Sequence, residues 1–251
     1  MERIDTLLNR NRIFQDTDSF MYGIDAVLLA DFTAKCCKKN DFVVDLCSGN
    51  GIVPLLLEHK ISTGKIIGVE IQKNSALLAQ KSIELNNLQE KISFLNVDLK
   101  EISKKLKKHC ADIVSCNPPY MIFNHGRLNP SDAKTIARHE ISCTLEDVVF
   151  CAQYLLKPKG SFCMIHRPFR LSEIFLCLNK HHLEPKRMQL ILPFEGKEPN
   201  LVLVEARKNA SPSLKIEMPV AVRNKYGEYT EEILRIQKTG LGAEPQENGG
   251  W

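Results

Sequence analysis

The tetrapeptide Asn117-Pro118-Pro119-Tyr120 combines groups that can hold a planar amine. The Asn117 side-chain oxygen and the Pro118 carbonyl are two acceptors that match the two N–H bonds of an exocyclic amino group. The Tyr120 ring offers a flat face on which a base can stack. Two such acceptors orient the amine and favour the positive charge that it gains as a methyl group arrives, so Asn117, Pro118 and Tyr120 are candidate catalytic residues. The alternative is a turn without a chemical role, because Asn-Pro begins many turns.

A buried strand is predicted to carry this tetrapeptide at its end. Residues 111–116 form an apolar run, Ala-Asp-Ile-Val-Ser-Cys, which is typical of a parallel sheet. Neither proline can donate to a sheet ladder, so the strand must stop there. We expect the Asn117 side chain to point into the crevice at the carboxyl edge of the sheet, where open α/β sheets bind ligands.

A second candidate site begins at Asp45. Residues 41–46 read as a strand, 47–51 as a turn with Gly49 and Gly51, and 52–58 as a helix. The two glycines do not make a dinucleotide fingerprint, and the negative charge of Asp45 favours a cationic ligand such as a sulfonium over a pyrophosphate. The next strand, 65–70, ends in Glu70, which is placed to accept the hydroxyls of a ribose.

Two further acids admit two interpretations each. Asp98 follows a third strand, 91–97, and either accepts from an adenine amine or caps the next helix. Asp25 precedes the apolar run 26–30 and is most simply an N-cap, with a cofactor contact as the alternative. The lysine-rich run 100–108 reads first as a solvated face and second as a phosphate-binding segment.

The remaining elements complete an alternating α/β pattern. Short apolar patches around a turn at 16–18 predict a small hairpin within residues 1–22. Helices are predicted at 73–86, 145–157 and 170–181, a fifth strand at 159–165, and a final hairpin pair at 187–192 and 201–207. The polar segment 121–135 is long for a connection and is a candidate substrate loop.

Composition is that of an ordinary globular chain, with 43% apolar and 25% charged residues among 251. The net charge of +4 is compatible with a polyanionic partner. The nine cysteines form no metal-binding spacing, so we expect no metal site, and their scatter suits a reducing cytoplasm. The charged N-terminus and the lack of an apolar run of about 20 residues predict neither a signal peptide nor a membrane span.

These features occur in a recognisable order. Asp45, Gly49-Asn50-Gly51, Glu70, Asp98 and the tetrapeptide fall at four successive strand ends. Over residues 20–208 this order resembles the class I S-adenosylmethionine-dependent methyltransferases with an Asn-Pro-Pro-Tyr motif. Within that branch, residues 23–29, 45–51 and 137–140 resemble the tRNA1(Val) adenine-N6-methyltransferase family, which modifies the adenine 3′ of the anticodon.

The resemblance implies a fold and a division of the chain. The fold is a Rossmann-like α/β class I methyltransferase, with a seven-stranded mostly parallel sheet, an antiparallel last strand and helices on both faces. The chain would divide into an N-terminal hairpin extension (1–22), a methyltransferase domain (23–208) and a polar C-terminal tail (209–251).

The resemblance also implies site roles. The turn from Asp45 to Gly51 would cradle the methionine part of S-adenosylmethionine, Glu70 the ribose and Asp98 the adenine amine. The full set of implied cofactor contacts is Asp25, Asp45, Cys47, Gly49, Gly51, Glu70, Ile71, Asp98, Leu99 and Asn117. The implied contacts to the tRNA anticodon loop are Tyr120, Arg127, Arg138, His139 and Arg167. Cys47 replaces a glycine that is common in the wider class, so the turn there is less permissive.

Other functions share the motif. Release-factor glutamine methyltransferases carry a helical domain before the catalytic one, whereas only about 20 residues precede the first core helix here. DNA adenine methyltransferases usually carry an added recognition domain. Methylation of a guanine N2 amine in ribosomal RNA stays open, because its chemistry is nearly the same. The non-enzymatic alternative is an inactive fold that serves as an RNA-binding module.

Overall fold

The computed structural model describes residues 1–7, 9–16, 22–60, 64–119 and 143–238. The strands in these ranges are β1 (Glu2–Thr6), β2 (Arg12–Asp16), β3 (Val43–Leu46), β4 (Ile66–Glu70), β5 (Ile92–Asn96), β6 (Ala111–Cys116), β7 (Leu156–His166), β8 (Leu183–Phe194), β9 (Leu201–Lys208), β10 (Lys215–Ile216) and β11 (Val220–Arg223). The α-helices are α1 (Ile24–Ala34), α2 (Ile52–Lys60), α3 (Lys73–Leu85), α4 (Leu145–Leu155), α5 (Leu171–Lys180) and α6 (Glu231–Lys238), and short 3-10 helices span Leu99–Lys104 and Pro168–Arg170.

One large sheet organises the molecule. Its strand order is β10-β8-β9-β7-β6-β3-β4-β5, and β11 also pairs with β8. The pairs formed among β3, β4, β5, β6 and β7 are all parallel. β9 runs antiparallel between β7 and β8, which makes β8 and β9 the predicted hairpin pair. Strands β3 to β9 therefore form the predicted seven-stranded sheet with an antiparallel last strand.

Helices cover both faces of this sheet, as predicted. On one face, buried side chains of α1, α2, α3 and α6 pack against the sheet in a single cluster that includes Phe32, Leu57, Ile83 and Ile233. On the other face, α4, α5 and the 3-10 helix Leu99–Lys104 contribute a second cluster. Burial on both faces explains why the central strands read as continuous apolar runs rather than as alternating patterns.

The N-terminal hairpin exists, but its turn is not where the sequence placed it. β1 and β2 are antiparallel, and the Leu7 amide donates to the Asn11 carbonyl over 2.7 Å. The turn of this hairpin thus lies around Arg10, which has a left-handed φ of 67°. Of the predicted turn at 16–18, Asp16 ends β2 and the other two residues lie outside the described ranges. The β2 backbone also bonds α3, because the Phe14 amide donates to Ser82 Oγ over 2.9 Å.

The segment named as a C-terminal tail adds to the fold. β10 and β11 pair in parallel with β8, and they extend the sheet beyond the seven predicted strands. α6 buries Ile233 and Ile236 against the α1 face. No helix in the described ranges has the length and apolar character needed to span a bilayer.

Candidate functional site

Asp45 is buried at the carboxyl end of β3. One of its oxygens accepts from Ser48 Oγ and the other from Ser115 Oγ, each over 2.6 Å. Ser115 lies directly opposite Asp45 on β6. Burial raises the pKa of Asp45 to about 7, and the charge of Glu70 acts in the same direction against the two serine hydrogen bonds. Asp45 therefore joins β3, the following turn and β6 at the crevice.

The turn after β3 depends on left-handed backbone. Cys47 has a φ of 54°, so a thiol side chain occupies a conformation that favours glycine. Gly51 has a φ of 88°, and a Cβ there would lie 3.0 Å from the Phe94 ring. A Cβ on Gly49 would meet nothing within 4 Å, so the turn presents open space at that residue.

Glu70 ends β4, one strand away from Asp45. Its carboxylate accepts from the Gly49 amide over 2.8 Å and from the Gln72 amide over 2.7 Å. It is 5% exposed and holds together the two loops that follow β3 and β4. A carboxylate has about four lone-pair sites, so these two bonds are compatible with acceptance from ribose hydroxyls as well.

The next positions along the edge show different environments. Ile71 is 48% exposed, so its apolar side chain is accessible to a ligand. Leu99 is buried in the core below. Asp98 caps the 3-10 helix that follows it, accepting from the Lys100 amide over 2.9 Å, so the capping interpretation holds for that oxygen.

Asn117 and Asp25 meet at the end of β6. Asn117 Nδ2 donates to Asp25 Oδ2 over 2.9 Å. The prediction that Asp25 is an N-cap was wrong, because α1 begins at Ile24 with Gly23 as its N-cap residue. Asp25 instead lies in the first turn of α1. Since an ionised carboxylate only accepts, the Asn117 nitrogen must face Asp25, and its oxygen must face the other way.

A cavity of about 610 Å³ begins at Pro118, the residue after Asn117. Pro118, Pro119 and His166 line it, together with residues of α4 and α5. Burial lowers the pKa of His166 to about 4, so the ring is neutral at neutral pH. Its Nδ1 accepts from the Arg167 amide over 2.7 Å, which places the ring proton on Nε2.

Several predicted contacts to RNA cannot be placed. Tyr120, Arg127, Arg138 and His139 lie outside the described residues. Arg167 follows β7 at the same edge as Asn117, and its Nη1 donates to the Asn200 carbonyl over 3.1 Å.

Sequence reasoning missed three supporting residues. Ser48 and Ser115 bind Asp45, and Asn96 Nδ2 donates to the carbonyls of Glu70 and Ile71 over 2.8 and 3.0 Å. Ser115 carried a usable signal, because a hydroxyl within an otherwise apolar strand needs a buried partner. Asn96 ends its strand as Glu70 does, and that shared position was the only sign of its role.

The residues present fit S-adenosylmethionine. Two buried carboxyl groups, Asp45 and Glu70, supply fixed acceptors for a compound that contains a ribose, and their ionised forms favour a cationic sulfonium. The open space at Gly49 admits a ligand against the backbone, and the exposed Ile71 offers an apolar contact.

Comparison with known proteins agrees with this arrangement. The TRM5/TYW2 methyltransferase domain model matches residues 10–125. The tRNA1(Val) (adenine(37)-N6)-methyltransferase of Photorhabdus laumondii is 27% identical over 224 residues, covering 88% of each chain. The enzyme of the same name from Porphyromonas gingivalis strain W83 is 25% identical, covering 74% of this chain and 73% of its own. The predicted resemblance to this group of enzymes thus extends over most of the chain.

Solved structures share the fold. A predicted O-methyltransferase from Agrobacterium tumefaciens aligns with a TM-score of 0.69 at 20% identity, over 89% of this chain and all of its own. The Thermus thermophilus 16S rRNA N2 G1207 methyltransferase, in complex with AdoMet and guanosine, aligns with a TM-score of 0.57 at 19% identity, over 83% of this chain and 50% of its own. These likenesses confirm the class I methyltransferase fold.

Proposed function

We propose, from the likeness to tRNA1(Val) (adenine(37)-N6)-methyltransferases, that this chain is an S-adenosylmethionine-dependent enzyme that methylates the N6 amine of an adenine in tRNA. The observation that carries the proposal is the fixed orientation of Asn117. Its nitrogen is held by Asp25, so its oxygen is presented as an acceptor at the end of β6, next to Pro118.

The protein's own groups orient the amine. When bound, S-adenosylmethionine supplies an electrophilic methyl group on a sulfonium. Asn117 Oδ1 and the Pro118 carbonyl accept the two N–H bonds of the target amine, which leaves the nitrogen lone pair directed out of that plane. As the nitrogen gains positive charge, both acceptors stabilise it without reorganising, since each is fixed by the sheet end or by Asp25. The methylated nitrogen then releases one proton to solvent, and S-adenosylhomocysteine is the second product.

The remaining site residues bind the cofactor. Glu70 accepts the ribose hydroxyls, Ile71 contacts the adenine, and the turn from Asp45 to Gly51 receives the methionine part. The neighbour that was solved with AdoMet and guanosine shares the fold that forms this crevice.

The adenine 3′ of the anticodon is the proposed target. Bases of an anticodon loop are unpaired, so placing one in a pocket costs less than extracting it from a duplex. Tyr120 then stacks on the base, and Arg127, Arg138, His139 and Arg167 contact the loop. With tRNA as its substrate, the proposed place of action of this enzyme is the cytoplasm.

The test is transfer of tritium from labelled S-adenosylmethionine to total tRNA from a strain that lacks this protein, followed by nucleoside digestion. Label in N6-methyladenosine is the expected result. A parallel assay uses ribosomal RNA from the same strain, and label there in N2-methylguanosine would instead support the chemistry named for the Thermus neighbour. Cofactor binding without label in either RNA would contradict the proposal and direct the assay to release factors.

A further inference from the structure

One short segment of this chain carries a high positive charge. Residues 99–109 contain five lysines and one glutamate, which gives a net charge of +4. The formal net charge of the whole chain is also +4, so the rest of the chain is balanced. We call the five lysines the lysine strip: Lys100, Lys104, Lys105, Lys107 and Lys108.

The strip is held in place by its apolar side. Leu99 and Ile102 of the 3-10 helix are buried in the core cluster that also contains α4 and α5. All five lysines are exposed. The segment therefore presents its cations outward from a fixed backbone.

Most of the strip lacks neutralising partners. Lys104 pairs with Glu101 over 2.8 Å, and Lys100 lies 4.0 Å from Asp147. Among the residues that the structure places, no carboxylate lies within 4.0 Å of the ammonium groups of Lys105, Lys107 or Lys108. Three cations within four residues, with no acid paired to them, leave a local positive charge that an anionic partner could neutralise.

A second cation lies near the strip and comes from a distant part of the chain. The Lys208 ammonium donates to the Leu156 carbonyl over 2.9 Å. It also lies 3.0 Å from Nδ1 of His109, the residue that directly follows Lys108. Its pKa is lowered, first by burial and then by the charge of Lys108. Lys208 thus adds to the positive charge at this end of the strip.

One end of the strip lies at the candidate site. Asp98, one of the proposed cofactor contacts, caps the 3-10 helix that carries the strip. Lys100 approaches Asp147 in the first turn of α4, and the neighbouring Thr144 and Glu146 line the cavity with Pro118. From there the segment returns to Ala111 at the start of β6, at the opposite edge of the sheet. Six strand residues span about 20 Å.

We propose that the lysine strip binds successive backbone phosphates of the RNA that carries the target adenine. This inference rests on the proposed function and deepens it, because it assigns the surface that holds the tRNA beyond the reacting base. Backbone phosphates rise about 3.4 Å per nucleotide along a duplex strand, so a path of about 20 Å reaches several of them. Lysine contacts of this kind position the substrate and do not read its sequence.

The test compares two triple variants that remove the same charge. Lys105→Gln/Lys107→Gln/Lys108→Gln alters the strip, and Lys38→Gln/Lys39→Gln/Lys65→Gln alters three other exposed lysines as a matched control. The dissociation constant of a transcribed valine tRNA is measured for each over a series of salt concentrations. We expect the slope of log affinity against log salt to fall by about 2 to 3 in the strip variant, since each phosphate contact contributes about 0.7 to 0.9. The control variant should keep the wild-type slope.

The outcomes separate the two proposals. If the strip variant, the control and the wild type have equal salt slopes and methylate tRNA normally, the phosphate-binding role of the strip is overturned and the proposed function is not. An equal decrease in both variants would also overturn it, because the effect would then follow total charge. A wild-type chain that neither binds nor methylates tRNA would overturn both proposals. Cofactor affinity must be unchanged in the strip variant, and the single Lys107→Gln variant, with an expected slope change of about 1, serves if the triple variant folds poorly.

Discussion

The side-chain nitrogen Nδ2 of Asn117 donates to a carboxylate oxygen of Asp25, 92 residues earlier in the chain, over 2.9 Å. This bond links the first turn of α1 to the end of β6. It gives the Asn117 side chain one orientation instead of two, because the reverse orientation would bring two acceptors together. In the proposed reaction Asp25 is a positioning residue, which acts through Asn117.

Asp25→Ala should lower kcat by about 10- to 100-fold, because misplacement of an orienting group by about 1 Å is costly. If Asp25 acts through Asn117, adding Asp25→Ala to Asn117→Ala should cause little further loss. A double-mutant cycle on kcat measures this coupling. Losses that simply multiply would assign Asp25 an independent role, such as the cofactor contact implied by family resemblance.

Asn117→Ala should bind S-adenosylmethionine normally and lower kcat by about 100-fold or more, the usual cost of one oriented group in a preorganised site. Single-turnover transfer to tRNA and calorimetric cofactor binding separate the two effects. The exposed Asn179 on α5 supplies a control, since Asn179→Ala should leave both quantities unchanged. An active Asn117→Ala variant would remove Asn117 from the amine.

Glu70→Ala should weaken binding of S-adenosylmethionine by about 10-fold or more, because hydrogen bonds to a charged group contribute about 1.5–3 kcal/mol. S-adenosylhomocysteine should lose a similar factor, since both ligands contain the ribose. Glu70→Gln keeps one acceptor oxygen, so its affinity for each ligand should lie between those of the wild type and of Glu70→Ala. Isothermal titration of both ligands tests this, and unaltered dissociation constants would exclude Glu70 from the ribose.

The pH dependence of stability should report the buried Asp45. Its pKa rises from 3.8 to about 7 on folding, so between these values the folded state holds a proton that the unfolded state has lost. The resulting stabilisation is complete below about pH 4 and disappears as the pH rises through about 7. Asp45→Asn cannot titrate there. As the pH rises from about 4 to about 7, the unfolding free energy of Asp45→Asn should therefore increase relative to that of the wild type. The slope of this difference against pH should approach the value for one bound proton.

Urea unfolding of wild type and Asp45→Asn at several pH values across that window makes the comparison. Ser115→Ala provides a useful second variant, because it removes one hydrogen bond that lowers the Asp45 pKa. Its proton-linked slope should extend to higher pH. A difference between wild type and Asp45→Asn that does not vary with pH would show that Asp45 does not titrate near neutrality.

The central sheet was predictable because its signals are local. Apolar runs that stop at Asp45, Glu70 and Asn117 mark strand ends, and strand ends of a parallel sheet share one edge. The hairpin turn was harder, since Asp16 looked like a turn residue, whereas the chain turns at Arg10 in a left-handed conformation. Arg10 is not a residue type that signals such a turn.

The elements after β9 illustrate a different limit. β10 and β11 contain only 2 and 4 residues, too few to produce a periodic pattern. They form because β8 would otherwise be an edge strand with unpaired backbone groups. Likewise, no local pattern could reveal the bond between Asn117 and Asp25, because only the completed fold brings α1 to β6. The two bonded residues are 92 positions apart in the sequence.

The pairing of Asp45 with Ser115 defines the distance between the two halves of the candidate site. The two residues face each other on β3 and β6, and Asn117 lies two residues beyond Ser115. In the proposed reaction the residues that hold the methyl donor and the acceptor amine therefore lie on adjacent strands, about 4.8 Å apart across the hydrogen-bond ladder. The rate should rise with temperature until the sheet itself melts, so that inactivation and loss of strand signal occur together.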